Sequence, residues 1–254
     1  MINNAQCGHF GGSLSCVEIL VSLYFGVMKI DPAEPRWERR DRFINSKGHA
    51  TAAYYATLAN RGYFERDELV NSFIDIHSHF EEHGSMQVRG VDMSTGSLGQ
   101  GVSVGAGMAL AGKLNGDNFK TYVLVGDGEC QEGQVWEAAL FSSHYGLDNL
   151  AVVIDRNKLQ VSGGTEEVIA IEPLDRKWAS FNWEVSVVNG HDLQELIDCL
   201  GDLNPNESPK VFIAETVKGK GISFMENNPD WHSFRALKRE EVEIAERELG
   251  IESQ

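Results

Sequence analysis

The chain is poor in cysteine, in basic charge and in long apolar runs. Its four cysteines, Cys7, Cys16, Cys130 and Cys199, form neither a CxxC pair nor a Cys/His zinc spacing. Four scattered thiols in 254 residues point to a reduced, cytoplasmic chain rather than to a disulfide framework. No apolar run reaches membrane-spanning length, and Met1-Ile2-Asn3-Asn4 places no positive stretch before an apolar segment, so neither a membrane span nor a secretory leader is expected. Lys and Arg total 22 against 38 Asp and Glu, a formal net charge of −16. Such a chain repels phosphate backbones and anionic lipid, which makes nucleic acid and membrane poor partners. An anionic small ligand would need focused donors or a metal ion. Internal repeats, low-complexity tracts and linkers are also missing, so residues 1–254 are expected to form one domain.

What is present alternates between strands and helices. Ser13 to Met28 predicts a largely buried helix, with Leu14, Val17, Leu20, Val21, Tyr24, Val27 and Met28 on one stripe and Glu18 and Ser22 off it. Arg36 to Arg42 reads as a charged connection, followed by the short apolar run Phe43-Ile44. Ala50 to Arg61 predicts a helix closing at Gly62, and residues 63–95 a helix followed by a long ordered loop. From Gly99 to Leu114 small residues dominate, which lets a helix approach another backbone closely. Thr121 to Val125 is an apolar run without alternation, as in a strand of a parallel sheet covered on both faces, and Leu150 to Asp155, Trp183 to Val188 and Lys210 to Thr216 read as further such buried strands. Helices are expected over Glu132–Tyr145 and Asp192–Leu203, and over the charged tail from Glu240 to Glu246. Together these elements predict an α/β fold with a parallel sheet and helices on both faces.

Ligands of open parallel sheets bind beyond the carboxyl ends of the strands. Gly126-Asp127-Gly128 closes one strand, and Asp155-Arg156-Asn157-Lys158-Leu159 closes the next. If those strands are neighbours, Asp127 and Asn157 emerge on one edge. Their oxygens suit Mg²⁺, which completes an octahedral oxygen shell with phosphate and water. The glycines flanking Asp127 permit close backbone approach, and the following helix offers free N–H groups to a diphosphate.

Gly-Asp-Gly followed about thirty residues later by an Asn closing an apolar strand resembles the signature of thiamine-diphosphate enzymes. Further stretches resemble the transketolase family in particular: Cys7-Gly8-His9-Phe10-Gly11-Gly12, Asp41 to Ala50 with its Ser46-Lys47-Gly48-His49, Val91 to Gly101 with Thr95-Gly96-Ser97-Leu98-Gly99-Gln100-Gly101, Gly126 to Gly133, and Lys218-Gly219-Lys220-Gly221 with His232 nearby. The likeness covers nearly the whole chain in order.

The resemblance implies a thiamine-diphosphate-binding fold and thiamine-diphosphate-dependent ketol transfer, in which a two-carbon unit passes from a ketose to an aldehyde. The chemistry belongs to the cofactor, and the protein supplies orientation, electrostatics and proton transfers. Carried onto this chain, the metal ligands are Asp127, Asn157 and the carbonyl of Leu159, holding Mg²⁺ or, in its place, Ca²⁺ or Mn²⁺. Gly126 and Gly128 would meet the diphosphate, the latter through its N–H. Gly96, Ser97 and Leu98 would contact the aminopyrimidine. His49 and His232 would lie near the diphosphate, and His9 and His83 would line the channel to the thiazolium. The family usually has His-Pro where this chain has His83-Gly84, so His79 competes with His83. His77, His144 and His191 read as surface or core residues. Glu132 would sit at the subunit interface, or be an ordinary helix-start carboxylate. Lys218 and Lys220 would face phosphate, or form a solvated turn.

In this family the glutamate that activates the pyrimidine lies on a second domain, and none follows here before Gln254. Split members of the family carry the two halves on separate chains. The resemblance therefore implies an obligate C-terminal (pyrimidine-binding) partner subunit, with two such pairs forming a heterotetramer that acts on small sugars or sugar phosphates. The family usually has a helix before the Gly-His stretch, so the start is either truncated or has lost that helix. Competing readings are a deoxyxylulose-phosphate synthase-like half, the alpha chain of a 2-oxo acid dehydrogenase, or a non-catalytic cofactor-binding scaffold.

Overall fold

The uninterrupted apolar runs do become parallel strands. A computed structural model describes residues 1–203, 208–233 and 236–251. Its main sheet contains β1 (Arg42–Asn45), β2 (Thr121–Gly126), β3 (Leu150–Arg156), β6 (Glu184–Asn189) and β7 (Lys210–Glu215), in the order β1-β2-β3-β7-β6 and all parallel. A small antiparallel hairpin, β4 (Leu159–Gln160) with β5 (Gly163–Gly164), hangs from the end of β3. The helices are α1 (Ile2–Ala5), α2 (Phe10–Leu14), α3 (Val17–Val21), α4 (Thr51–Arg61), α5 (Arg66–Ser72), α6 (Gln100–Asn115), α7 (Gly133–His144), α8 (Thr165–Val168), α9 (Leu174–Ser180), α10 (Leu193–Gly201) and α11 (Arg239–Glu248). Among the described residues, no helix is long and apolar enough to cross a membrane.

Alternation along each strand builds two cores. Tyr122, Leu124, Ala151, Val153, Phe212 and Ala214 face one side, against Ile19 and Leu20 of α3, Tyr54 and Leu58 of α4, and Leu196 and Leu200 of α10. Val123, Val125, Val152, Ile154, Val211 and Ile213 face the other, against Val102 and Ala106 of α6, Val135 and Ala139 of α7, and Trp178 of α9. Burial on both faces is why β2 and β3 read as continuous apolar runs. The small residues of α6 work as expected: a Cβ at Gly101 would collide with Ser46, and one at Gly105 with Val123.

Two expectations need correction. Residues 13–28 are not one helix but α2, α3 and a π-helical turn over Ser22–Val27. The break between α2 and α3 and the wider turn shift the buried face, so Ser22 is buried and Val17 is exposed, the reverse of the 3.6-residue stripe. The strand after Trp183 is not covered on both faces; β6 is the edge of the sheet and Val187 is 58% exposed. Phe43-Ile44 is the middle of β1, at the opposite edge, too short a run for periodicity to type.

Candidate active site

The sheet order puts three strand ends side by side. Register pairs Asn45 with Leu124 and Gly126 with Asp155, so the segments after β1, β2 and β3 leave from one edge. Ser46 to His49 follows β1, Asp127 and Gly128 follow β2, and Asn157 to Leu159 follows β3.

Asp127 is buried at this edge. Its Oδ1 accepts from Gly128 N at 2.8 Å, and its Oδ2 accepts from Lys158 N at 2.6 Å and from Arg156 Nη1 at 2.8 Å. Burial pushes the Asp127 carboxyl above its ordinary range, Asp155 adds to this, and Arg156 opposes it. Lys158 is in the left-handed region at φ 67°, a conformation that costs a non-glycine residue; its N–H bond to Asp127 and its carbonyl bond to Thr165 N at 3.0 Å hold it there. Asn157 is buried, with Oδ1 accepting from Leu159 N at 3.1 Å. The Leu159 carbonyl accepts from Lys218 Nζ at 3.0 Å, and Lys218 Nζ lies 2.8 Å from His232 Nδ1. Lys218 thus bridges the loop after β3 to a group of histidines.

Four of the eight histidines come together. The His9 ring centroid is 5.5 Å from His49, 6.5 Å from His83 and 5.6 Å from His232, and His49 stacks on His232 at 5.1 Å. Burial, then the charges of His83 and Lys218, pushes His9 down to about 4. Burial, then Lys218 and His9, pushes His232 down to about 3. His49 is also held well below its ordinary value, by burial first and then Lys47. These rings are neutral near pH 7, able to accept as well as donate hydrogen bonds. Lys218 itself is pushed down to about 8 by burial and then by Lys47.

The competition between His79 and His83 has a geometric answer: His83 joins the group, while His79 is exposed and packs on Phe80 at 4.5 Å. Gly96 lies beside it, since a Cβ at Gly48 would sit 3.1 Å from Gly96 N and 3.2 Å from the His83 ring. Gly96, Ser97 and Leu98 are exposed at the rim. His77 and His144 are exposed, and His191 is held between Val217 N and Glu18. Glu132 is an exposed residue at the start of α7. Of the two lysines, Lys218 is buried in the site, whereas Lys220 pairs with Glu226 at 3.4 Å on the surface.

The sequence assigned no role to several further residues at the site. Lys47 and Asp155 form a fully buried ion pair. Asp155 also accepts from Ser15 Oγ at 2.5 Å and from Thr216 Oγ1, and Lys47 donates to the Gly12 carbonyl at 2.8 Å. Burial alone would raise Asp155, but Lys47 and the two hydroxyls hold it below the ordinary carboxylate range; Asp155 in turn holds Lys47 above its own. Glu129 is buried and accepts from Ser46 Oγ, from Gly99 N at 2.8 Å and from Gly126 N at 3.0 Å, tying the edge of β1 to the Gly96–Gly99 segment and to the end of β2. A charged residue ending an otherwise apolar strand, as Asp155 does, was the one available hint.

The donor set can be tested against a metal. Among the described residues, no group of three or more His, Cys, Asp or Glu side chains could hold one. Asp127, Asn157 and the Leu159 carbonyl supply one charged and two neutral oxygens, a set that fits a hard cation only with further oxygens from an anionic ligand. All three oxygens now accept hydrogen bonds from within the chain, and so does Asp127 from the Gly128 N–H expected at the diphosphate. The cationic Lys218 beside the Leu159 carbonyl, and the histidine donors beside it, suit the same anion.

Comparison with known proteins agrees with this geometry. The family profile described as "Transketolase, thiamine diphosphate binding domain" matches residues 1–254. The chain is 44% identical to an apulose-4-phosphate transketolase subunit of Actinobacillus succinogenes, covering 98% of this chain and 90% of that one. It is 42% identical to the 6-deoxy-6-sulfo-D-fructose transketolase subunit SqwG of Clostridium sp., covering 99% and 91%. The crystal structure of transketolase from Campylobacter jejuni superposes with a TM-score of 0.93 at 31% identity, over 99% of this chain but only 40% of that one. The chain belongs to the transketolase family, whose thiamine-diphosphate-binding domain it carries.

Proposed function

We propose that this chain is the diphosphate-anchoring subunit of a two-component, thiamine-diphosphate-dependent transketolase, a single binding domain over residues 1–254. The observation that carries this reading is one of likeness: the chain is 44% and 42% identical to relatives named as transketolase subunits, against 31% for the transketolase of Campylobacter jejuni. The chain's Gly96-Ser97-Leu98 rim is exposed, where a partner subunit would close over the pyrimidine.

In this reading Asp127, Asn157 and the Leu159 carbonyl hold Mg²⁺, replaceable by Ca²⁺ or Mn²⁺, once diphosphate oxygens complete the shell. Gly126 and Gly128 let the backbone approach the diphosphate. His49 and His232, backed by Lys218, donate to it. His9 and His83 line the approach to the reacting carbon and move protons for the hydroxyls of a small sugar or sugar phosphate. The cofactor, when bound, supplies the nucleophilic carbon that breaks the ketose C–C bond. The partner supplies the pyrimidine-activating glutamate, two such pairs form a heterotetramer, and the assembly works in carbohydrate metabolism in the cytoplasm.

The test is reconstitution. Mixed together, the chain and its partner are expected to transfer a two-carbon unit, and neither alone. Appreciable ketol transfer by the purified single chain would defeat the two-component reading. In calorimetry of the pair, Asp127→Ala is expected to abolish Mg²⁺-dependent cofactor binding; unchanged affinity would overturn the metal assignment.

A further inference from the structure

The loop that carries His83 also carries an acid that belongs to none of the motifs above. Glu82 Oε1 lies 3.1 Å from His9 Nδ1, a close polar contact not aligned as a hydrogen bond, with both side chains largely withdrawn from solvent. The loop is held firmly. Phe80 is buried, with its ring 5.7 Å from that of Tyr55. The Tyr55 hydroxyl accepts from Ser85 N at 3.0 Å and donates to the His83 carbonyl at 3.4 Å, and Thr95 N donates to the Gly84 carbonyl at 3.0 Å. Glu82 and His83 are therefore delivered to His9 by one anchored segment.

We propose that Glu82 is a positioning residue for the reaction described above: it holds His9 as the Nδ1–H tautomer and so makes Nε2 the ring's proton acceptor. The proposal rests on that functional reading. A carboxylate only accepts hydrogen bonds, and a neutral imidazole has one donor nitrogen and one acceptor nitrogen. Two acceptors at 3.1 Å repel, so the proton of neutral His9 sits on Nδ1, facing Glu82. The molecule contains its own precedent. His191 Nδ1 lies 3.2 Å from Glu18 Oε2, and there the tautomer is fixed independently, because His191 Nε2 accepts from Val217 N at 2.8 Å. The same pairing at His9 leaves Nε2 as the acceptor of a ring that is grouped with His49, His83 and His232.

When Nε2 takes a proton from a substrate hydroxyl, the O–H bond breaks, the electron pair stays on oxygen, and the Glu82 carboxylate balances the imidazolium formed. The charged and titratable groups around His9 are Glu82, Lys218, His49, His83 and His232. Among these described groups Glu82 is the anion, in contact with Nδ1, and its charge favours that imidazolium.

Long-range ¹⁵N–¹H spectra of the full chain read the pairing without any assay, with His191 as internal standard. His9 is expected as the Nδ1–H tautomer in the wild type and as a mixture in Glu82→Leu, with His191 unchanged. An Nε2–H His9 in the wild type, or no change in Glu82→Leu, overturns the proposal. In the reconstituted pair, Glu82→Leu is expected to lower kcat on the order of tenfold or more, with KM nearly unmoved. Glu82→Gln keeps an acceptor oxygen and is expected to restore part of kcat, while the acid limb of the pH profile moves to lower pH because the imidazolium has lost its counter-charge. Equal kcat and an unshifted limb in both variants would remove Glu82 from the reaction. A wild-type pair with no ketol transfer defeats the functional reading and this role with it, whereas the spectra still judge the His9–Glu82 pairing separately.

Discussion

At the Asp127 end of the cleft, carboxylates are buried and bonded within the chain; at the Gly96–Leu98 end, the backbone lies on the surface. The first end is fixed by Arg156, Lys158 N and Gly128 N on Asp127, by Lys218 on Leu159, and by Lys47 on Asp155. The second is anchored at its two roots, where Thr95 N donates to the Gly84 carbonyl and Glu129 accepts from Gly99 N, and by Gly99 itself, whose φ of 81° permits the turn into α6. The difference teaches where each part of a shared site is finished. Ionic groups taken from water must be satisfied by the chain that buries them. A rim without buried charge can stay exposed, as the proposed partner surface would require.

The comparison breaks most clearly at the buried ion pair. Asp155→Ala is expected to destabilise the chain by about 3–5 kcal/mol, because it strands the Lys47 ammonium. Urea unfolding measures this, and a loss of less than about 1 kcal/mol would show that the pair does not secure that end. Lys47→Met combined with Asp155→Val is expected to recover part of the loss.

Acid should attack the histidine group next. His9 titrates at about 4 in the fold against an ordinary 6.5. Between those values the unfolded chain binds the proton and the folded chain does not. Stability is therefore full above pH 6.5 and falls as pH drops toward 4, by at most about 3 kcal/mol from His9. His9→Gln is expected to flatten this slope in pH-dependent denaturation curves; an unaltered slope would mean that His9 is no more buried than a surface ring.

A smaller effect is expected at the joint between the two ends. Glu129→Ala leaves Ser46 Oγ, Gly99 N and Gly126 N without their acceptor, a loss of about 1–3 kcal/mol. Hydrogen exchange of the Gly99 and Gly126 amides should report it, and retained protection would show that the joint does not depend on this carboxylate. The smallest effect on the isolated chain is expected at the rim: Leu98→Ala should change stability by no more than about 0.5 kcal/mol. Its cost should appear instead in the affinity for cofactor and for the partner subunit. A large loss of stability in the isolated chain would mean that the rim is already closed.

Much of this was legible beforehand because the physics is local. Buried parallel strands leave unbroken apolar runs, which located β2, β3 and β7. Glycines flanking Asp127, and Asn157 after the next strand, suggested a phosphate and metal corner, and strand register brings these residues to one edge. The edge strands were not legible in the same way. β1 is too short for its period to be read, and β6, with Glu184 and Ser186 flanking Val185, stands half exposed at the sheet edge. The π-helical turn at Ser22–Val27 escaped because a stripe at 3.6-residue spacing assumes an unbroken helix.

The sequence by itself determined the order of strands and helices and the motifs that end at one edge of the sheet, since periodicity and turn chemistry act over a few residues. Only the tertiary structure decided which histidines meet, that His83 rather than His79 joins them, and that Lys218 turns inward while Lys220 stays on the surface. It alone matched Lys47 with Asp155, 108 residues apart, and Glu82 with His9. Pairings of that separation are set by strand order and by the packing of loops, which no local pattern records, and they hold because a buried charge without its partner costs more than the fold can spare.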